Sequence, residues 1–189
     1  MTDNAAANSK SPHKTAKDDP RAIALLKDEH QTFRTLFDRA EQAEGEALVA
    51  IAQELCLRLD VHMTIEEEIL YPALKAVIGE DEVNEGIVEH QSAKRLVEEI
   101  EQLNGDEPLY ASKVHVLGEE TLHHIDEEDE ELFEKAKEAH RAGKIDLDAI
   151  GDRLRARQQQ LYARIESTGD EGLTAEADAE EVETVNGPN

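Results

Sequence analysis

The sequence is short of cysteine, proline, glycine and aromatic residues, and each shortage excludes a class of protein. Of its 189 residues only Cys56 is a cysteine, so an internal disulfide scaffold and a cysteine-based zinc finger are both excluded. Five prolines and 10 glycines leave little material for long irregular loops. With 3 Tyr, 3 Phe and no Trp, the chain also lacks the aromatic rings on which single-stranded nucleic acids stack.

Basic residues are scarce as well. The 20 Lys and Arg face 45 Asp and Glu, which gives a formal net charge of −25. A chain this acidic repels phosphate backbones and anionic lipid surfaces, so we expect neither a nucleic-acid partner nor a membrane partner. Apolar runs are shorter than the ~20 residues of a membrane span, and residues 1–20 lack the apolar stretch of a secretory signal. The expected location is therefore the cytoplasm.

Apolar residues recur at steps of three and four over most of the chain, which predicts helices. Five segments carry this pattern: 19–45, 46–79, 81–105, 108–143 and 147–166. No segment alternates at period two, so the expected fold class is all-α. Short connections between long helices favour antiparallel neighbours, which predicts an up-down-up-down four-helix bundle with a short extra C-terminal helix. Pro72 should kink or break the second helix in its last turns.

The two ends of the chain differ in composition from this helical part. Residues 1–19 show no periodicity, which predicts a disordered leader. Residues 167–189 carry acids and no Lys or Arg, which predicts an acidic disordered tail. We therefore assign the four-helix bundle to 20–142 and an additional helix to 143–166, whose arginines suit the face of an acidic bundle.

The four-helix part contains an internal repeat. Each copy is a helix pair with a lone histidine on its first helix and a His-x-x-x-Glu motif on its second. The repeated residues are His30, His62 and Glu66 in the first copy, and His90, His124 and Glu128 in the second. The two histidines are 32 residues apart in the first copy and 34 in the second. A pseudo-two-fold axis relating the copies would bring the four histidines to one level inside the bundle.

The His-x-x-x-Glu spacing by itself is weak evidence, because about two such pairs are expected by chance in a chain with 8 His and 45 acids. Four pairs occur: His62/Glu66, His115/Glu119, His123/Glu127 and His124/Glu128. A surface pair at this spacing stabilises a helix by only about 0.2–0.5 kcal/mol. The two pairs of the repeat differ from the others because they lie in the apolar stripes of their helices.

Ionisable groups that face a core are costly unless something compensates. A carboxylate loses its hydration, and even a neutral polar group costs about 1–3 kcal/mol when it is buried without a partner. A divalent or trivalent metal ion would compensate for four histidines and two glutamates at once, because it accepts both anionic oxygen and neutral imidazole. The other interpretation is a polar network in which these side chains hydrogen-bond each other.

This arrangement resembles the hemerythrin-like family, the HHE cation-binding domain. The family pattern, H … HxxxE … H … HxxxE over four helices, matches this sequence residue by residue over about 20–140, and the fifth helix and the tail lie outside it. The resemblance implies a four-helix bundle with two iron ions in a non-haem Fe–O–Fe centre. The metal ligands that it implies are His30, His62, Glu66, His90, His124 and Glu128.

One position departs from the pattern of the family's oxygen carriers. They have a further histidine one turn after the lone histidine of the third helix, and Lys94 stands there in this sequence. The ligand set that the resemblance implies would then leave positions on the irons open to water, peroxide, nitric oxide or another side chain. Glu127 and Tyr71 are candidates for that side chain, although a solvated acid and a core aromatic explain them more simply. His123 could replace His124, but it lies off the apolar stripe and breaks the repeat.

These features support three functional hypotheses. The first is a di-iron protein that binds small oxidants (dioxygen, peroxide or nitric oxide), with catalase-like or nitric oxide- or dioxygen-reducing activity in detoxification. The second is a non-catalytic module that senses oxygen or iron, carries oxygen or holds iron. The third is a structural bundle whose polar groups bond each other. The fifth helix is in addition a candidate surface for a homodimer.

Overall fold

The computed structural model of the chain describes residues 19–168, and every regular element in that range is helical. The prediction of an all-α fold is confirmed for these residues. The predicted leader lies outside the described residues except for Asp19. The predicted tail also lies outside them, except for residues 167 and 168, which belong to the last helix.

The described helices follow the predicted segments closely. The α-helices are α1 (Arg21–Ala40), α2 (Gly45–Ile65), α3 (Tyr71–Ile78), α4 (Asp81–Glu101), α5 (Tyr110–Glu127), α6 (Phe133–Arg141) and α7 (Leu147–Thr168). A π-helical segment, Glu66–Leu70, joins α2 to α3, and a second, Glu128–Leu132, joins α5 to α6. The predicted second and fourth helices are therefore each one long helix with a π-helical segment inside it.

Each π-helical segment begins at the glutamate of a His-x-x-x-Glu motif. A π turn widens the helix locally and is frequent at functional sites. The predicted break at Pro72 does not occur: the helix continues from the first π-helical segment through Pro72 into the rest of α3. Proline is not the cause of the π turn either, since the second segment has Glu134 at the matching place.

The turn between α6 and α7 depends on a glycine. Gly143 has φ of 69°, a left-handed conformation that side chains with a Cβ rarely adopt. The N–H of Gly143 donates to His140 O at 2.9 Å and the N–H of Lys144 donates to Ala139 O at 3.0 Å. This pair of bonds is the Schellman motif, and it ends α6 so that α7 can turn back onto the bundle.

Helix α7 shares the core of the bundle. Its apolar face, Leu147, Ile150, Leu154 and Leu161, is buried in one cluster with side chains of α1, α3 and α6. Gly151 faces α1, and a Cβ there would lie 2.4 Å from the backbone nitrogen of Ala22, so only glycine permits this approach. The apolar face on which a homodimer through the fifth helix would depend is therefore covered within the chain. Such a dimer remains a prediction and would have to use the charged face of α7.

A second apolar cluster lies between α1, α2, α4 and α5 and includes Phe33, Leu55, Leu59 and Leu117. His30 of the repeat contacts Phe133 of the first cluster, and His62 contacts Phe33 of the second. None of the helices described between residues 19 and 168 has the length and apolar character needed to cross a membrane.

Candidate metal centre

The structure brings together all six side chains of the repeat. They come in chain order from α1, α2, the first π-helical segment, α4, α5 and the second π-helical segment: His30, His62, Glu66, His90, His124 and Glu128. Their exposed fractions range from 0% for His30 and Glu66 to 6% for His124. Four imidazoles and two carboxylates thus lie in the interior, where water cannot compensate their polarity.

The six side chains form two groups that share one carboxylate. In the first group, ligand atoms of His30, His62, Glu66 and Glu128 lie within 4.8 Å of one another. In the second, ligand atoms of Glu66, His90 and His124 do the same. The shared Glu66 therefore lies between the two groups.

Each glutamate lies between a histidine of one copy of the repeat and a histidine of the other. Oε2 of Glu66 is 3.3 Å from His62 Nε2 and 3.4 Å from His90 Nε2. The second glutamate behaves in the same way. Oε2 of Glu128 is 3.5 Å from His30 Nε2 and 3.7 Å from His124 Nε2. The predicted pseudo-two-fold relation is therefore visible in these distances.

Behind every histidine lies a carboxylate that holds its other ring nitrogen. The Nδ1 pairs are His30 with Asp129 at 3.0 Å, His62 with Glu29 at 3.3 Å, His90 with Glu67 at 3.0 Å and His124 with Glu89 at 2.7 Å. A carboxylate accepts hydrogen bonds, so each Nδ1–H donates to its carboxylate and Nε2 is the ring nitrogen that faces the centre. Metal-ligating histidines have this partnership in most proteins.

The repeat pattern that predicted the six residues does not include these four carboxylates, although the sequence contains a signal for them. A glutamate directly precedes each lone histidine, Glu29 before His30 and Glu89 before His90. An acid also directly follows each glutamate of the motif, as Glu67 and Asp129 do. The repeat extended by one residue on either side contains all four acids, but it does not specify which histidine each acid contacts.

Polar atoms at the centre lack partners. Nε2 of His30, Nε2 of His62, both carboxylate oxygens of Glu66 and Oε2 of Glu128 make no hydrogen bond within the described part of the chain. Each unmade bond of this kind costs about 1–3 kcal/mol. His90 Nε2 and His124 Nε2 lie 3.1 Å apart. A cation would accept lone pairs from imidazole nitrogens and carboxylate oxygens alike, so the donor set fits a cation.

The sequence comparisons identify a cation-binding domain. Residues 21–136 match the family described as the Hemerythrin HHE cation binding domain. The chain belongs to this family. A "DNA nickase" of Nostoc sp. is 25% identical over 118 residues, which are 62% of this chain and 34% of that protein. The chain thus spans about a third of the length of this curated relative.

A solved structure supports the fold. A hemerythrin HHE cation binding domain-containing protein from Mycobacterium kansasii has a TM-score of 0.65 and is 24% identical. The match covers 78% of this chain and 93% of the other. The helical fold around the centre is therefore that of a hemerythrin HHE domain.

Basic side chains hold two of the carboxylates that contact histidine Nδ1 atoms. Arg34 donates to Asp129 Oδ2 at 3.0 Å, and Lys94 donates to Glu67 Oε2 at 2.6 Å. Each of these basic residues lies four positions after the lone histidine of its copy of the repeat. In this hemerythrin HHE domain Lys94, the departure from the oxygen carriers, therefore points at Glu67 and orients His90 through it.

Helix α7 holds Glu29, the carboxylate that contacts His62. Gln158 donates to Glu29 Oε1 at 2.6 Å, and the other oxygen of Glu29 accepts from His62. Arg157 makes two bonds to Glu68, at 2.6 and 2.9 Å. A helix beyond the family match thus reaches the surroundings of the centre.

The centre shifts the pKa values of its side chains strongly. Burial by itself would lower the pKa of His30, but Asp129 and Glu128 outweigh burial and raise it to about 9. Burial and the charge of Glu128 raise the pKa of Glu66 to about 8. Burial would also raise the pKa of Glu128, but the nearby His124 and His30 hold it far below its ordinary value. Without metal, then, protons bind where a cation would, and metal binding would release them.

The alternative ligands considered above differ in their position: Tyr71 lies beside the centre, whereas Glu127 and His123 lie at the surface. Tyr71 is buried, and its hydroxyl donates to Glu128 Oε1 at 2.9 Å and lies 3.2 Å from His90 Nε2. Glu127 lies at the surface, paired with His123 at 3.3 Å, and the His123 side chain is 67% exposed. Of the two adjacent histidines, His124 is the one in the buried group.

Proposed function

We propose that this hemerythrin HHE domain holds two iron ions and binds small oxidants (dioxygen, peroxide or nitric oxide) at them. The observation that carries the proposal is the convergence of unpaired donor atoms in two groups that share Glu66. His30, His62 and Glu128 would complete one iron site with Glu66, and His90 and His124 the other. A set of imidazoles and carboxylates without thiolate suits iron rather than softer ions.

Iron would supply electron exchange with the oxidant, which these side chains cannot perform by themselves. The chain's own residues keep the site rigid. Each imidazole is fixed at Nδ1 by a carboxylate, so its Nε2 stays aimed at the centre. The ring of Phe133 stacks on His30 and the ring of Phe33 meets His62 edge-on, with centroids 5.6 and 5.1 Å apart, which covers one side with apolar surface.

Tyr71 donates a hydrogen bond to one carboxylate of the centre. Burial and the charges of Glu128 and Glu66 raise the Tyr71 pKa well above its ordinary value, so the hydroxyl keeps its proton. It can therefore hold Oε1 of Glu128 while Oε2 stays available to an ion.

We also propose that the helices are arranged as an up-down-up-down antiparallel bundle over 20–142, with α7 added on one side. Helix α1 contacts α2, α5 and α7, and α4 contacts α2 and α5, which is the neighbour pattern that such a bundle requires. In this arrangement every helix of the bundle contributes one histidine to the centre.

Metal analysis and peroxide addition test the proposal. The purified protein should contain two irons per chain, and hydrogen peroxide should produce sustained oxygen evolution if the centre turns over peroxide. Absence of iron from protein that was refolded or expressed with iron present would contradict the proposal. Replacing His115, an exposed histidine with the same i,i+4 acid spacing, provides the matched control and should leave the iron content unchanged.

A specific observation favours a sensing role as the second candidate. Gln158 of α7 connects to His62 through Glu29, so loss of an ion near His62 would change what this helix contacts. A single spectral change with peroxide and no turnover, together with iron-dependent protection of α7 in hydrogen exchange, would support sensing over catalysis.

A further inference from the structure

An ion that reaches the centre needs a route, because none of the six residues is more than 6% exposed. A cavity of about 190 Å³ lies between α4 and the helix that contains His124 and Glu128. Its inner wall includes the buried Tyr71, His124 and Glu128. A second cavity touches His62 and His90 but holds only about 10 Å³, which is about the space of one water molecule.

The larger cavity has a negative lining. Four carboxylates beyond the centre line it, Glu85, Glu89, Glu127 and Glu131, and no Lys or Arg lines it among residues 19–168. Three of the four are exposed, so the cavity leads from the surface inward. At its inner end is Glu128, 4% exposed, whose Oε2 accepts no hydrogen bond in the described part of the chain. The lining therefore attracts cations and ends at an unpaired carboxylate oxygen.

At the surface beside this cavity lies a third group of ligand atoms. One atom each of Glu89, His123 and Glu127 lie within 4.8 Å of one another. His123 Nε2 is 3.3 Å from Glu127 Oε1. Glu89 also accepts from Nδ1 of His124 at 2.7 Å, so one residue of the outer group is bonded directly to a side chain of the buried centre.

We propose that Glu89, His123 and Glu127 form an outer site that takes up a divalent cation, Fe²⁺, and passes it through the cavity to the buried centre. This inference rests on the proposed iron-binding function. One imidazole and two carboxylates match the ligand preference of Fe²⁺, and three protein ligands leave the ion exchangeable. The exposed position lets a hydrated ion bind before it loses its remaining water in the cavity.

The test compares two double variants of the full chain. His123→Ala with Glu127→Gln removes two outer ligands and leaves Glu89, which holds His124. The matched control is His115→Ala with Glu119→Gln, which removes an exposed histidine and acid at the same i,i+4 spacing away from the cavity lining. Helical circular dichroism and the unfolding midpoint check that both variants fold as the original chain does.

The measurement is the rate of iron uptake. Metal-free protein is mixed anaerobically with Fe²⁺, free iron is trapped with a ferrous chelator at set times, and protein-bound iron is counted. All three proteins should reach two irons per chain, with a half-time about tenfold longer in the outer-site variant and unchanged in the control. Equal half-times would overturn the outer site but not the iron centre. Failure of the original chain to take up iron would overturn both proposals.

A second measurement examines the outer site itself. With the buried centre already filled with iron, Mn²⁺ titration followed by electron paramagnetic resonance should show one weakly bound Mn²⁺ in the original chain and in the control. The outer-site variant should lack it. Equal Mn²⁺ binding in all three proteins would overturn the proposal.

Discussion

Replacing Glu66 by glutamine should stabilise the metal-free protein although it removes a residue of the centre. The side chain is fully buried, and both of its oxygens lack hydrogen-bond partners in the described part of the chain. Glutamine has the same shape and no charge, and its amide can donate to His62 Nε2 or His90 Nε2, which lie 3.3 and 3.4 Å from Oε2. If Glu66 binds a cation, its negative charge destabilises the folded protein when no cation is present.

The magnitude follows from the raised pKa. The folded carboxyl has a pKa of about 8 against 4.5 in the unfolded chain, so the native state binds the proton more tightly. Ionisation of Glu66 therefore destabilises the native state progressively as the pH rises from 4.5 to 8. At about 1.4 kcal/mol per pH unit, the advantage of the Glu66→Gln variant should grow from about 1 kcal/mol at pH 5.5 to about 5 kcal/mol at pH 8.

Urea unfolding of the metal-free proteins, followed by circular dichroism, measures this difference. Glu119→Gln, a change at an exposed acid, is the control and should shift the midpoint little. With Fe²⁺ added anaerobically the order should reverse, because only the original chain gains the binding free energy in full. If the Glu66→Gln variant is less stable than the original at pH 8 without metal, Glu66 belongs to a structural polar network and our reasoning is wrong.

Three further substitutions test other parts of the structure. Glu67→Gln removes the charge behind His90 and should weaken iron binding about tenfold in competition with a chelator; unchanged affinity would reduce this carboxylate to a surface ion pair. Burial and nearby Glu101 raise the pKa of Asp60 to about 7, so Asp60→Asn should gain up to about 4 kcal/mol over the original chain as the pH rises from 4 to 7. A urea-measured difference that does not vary with pH would refute that pKa. Tyr71→Phe should lower metal-free stability by about 1–3 kcal/mol and keep two irons, whereas loss of one iron would identify Tyr71 as a ligand.

Helix positions were predictable because periodicity is a local property. The predicted segments 46–79 and 108–143 contain α2 with α3 and α5 with α6. The ends were less predictable, since α1 stops at Ala40 and not at residue 45. Glu41 still has helical backbone angles, although α1 ends before it. The chain then reverses direction through the residues before α2, and Gly45 at the start of α2 adopts a left-handed conformation that favours glycine.

The two helices that carry the His-x-x-x-Glu motifs each contain a π turn that their sequences do not indicate. Nothing in the pattern of Glu66–Leu70 differs from an α-helical pattern, yet the structure has a π turn there and at Glu128–Leu132. The sequence pattern therefore does not predict either π turn.

By itself the sequence determined the all-helical class, the two-copy repeat and the six polar positions in apolar stripes, because spacing along one helix decides which residues share a face. The tertiary structure alone decided which partners those six acquire. Asp129 is 99 residues from His30 and Gln158 is 129 residues from Glu29, and no local pattern specifies such pairs. The same holds for Lys94, whose role became visible only when α4 was placed beside Glu67. Each histidine obtains its carboxylate partner from another helical segment, so the packing of the helices determines the surroundings of every imidazole.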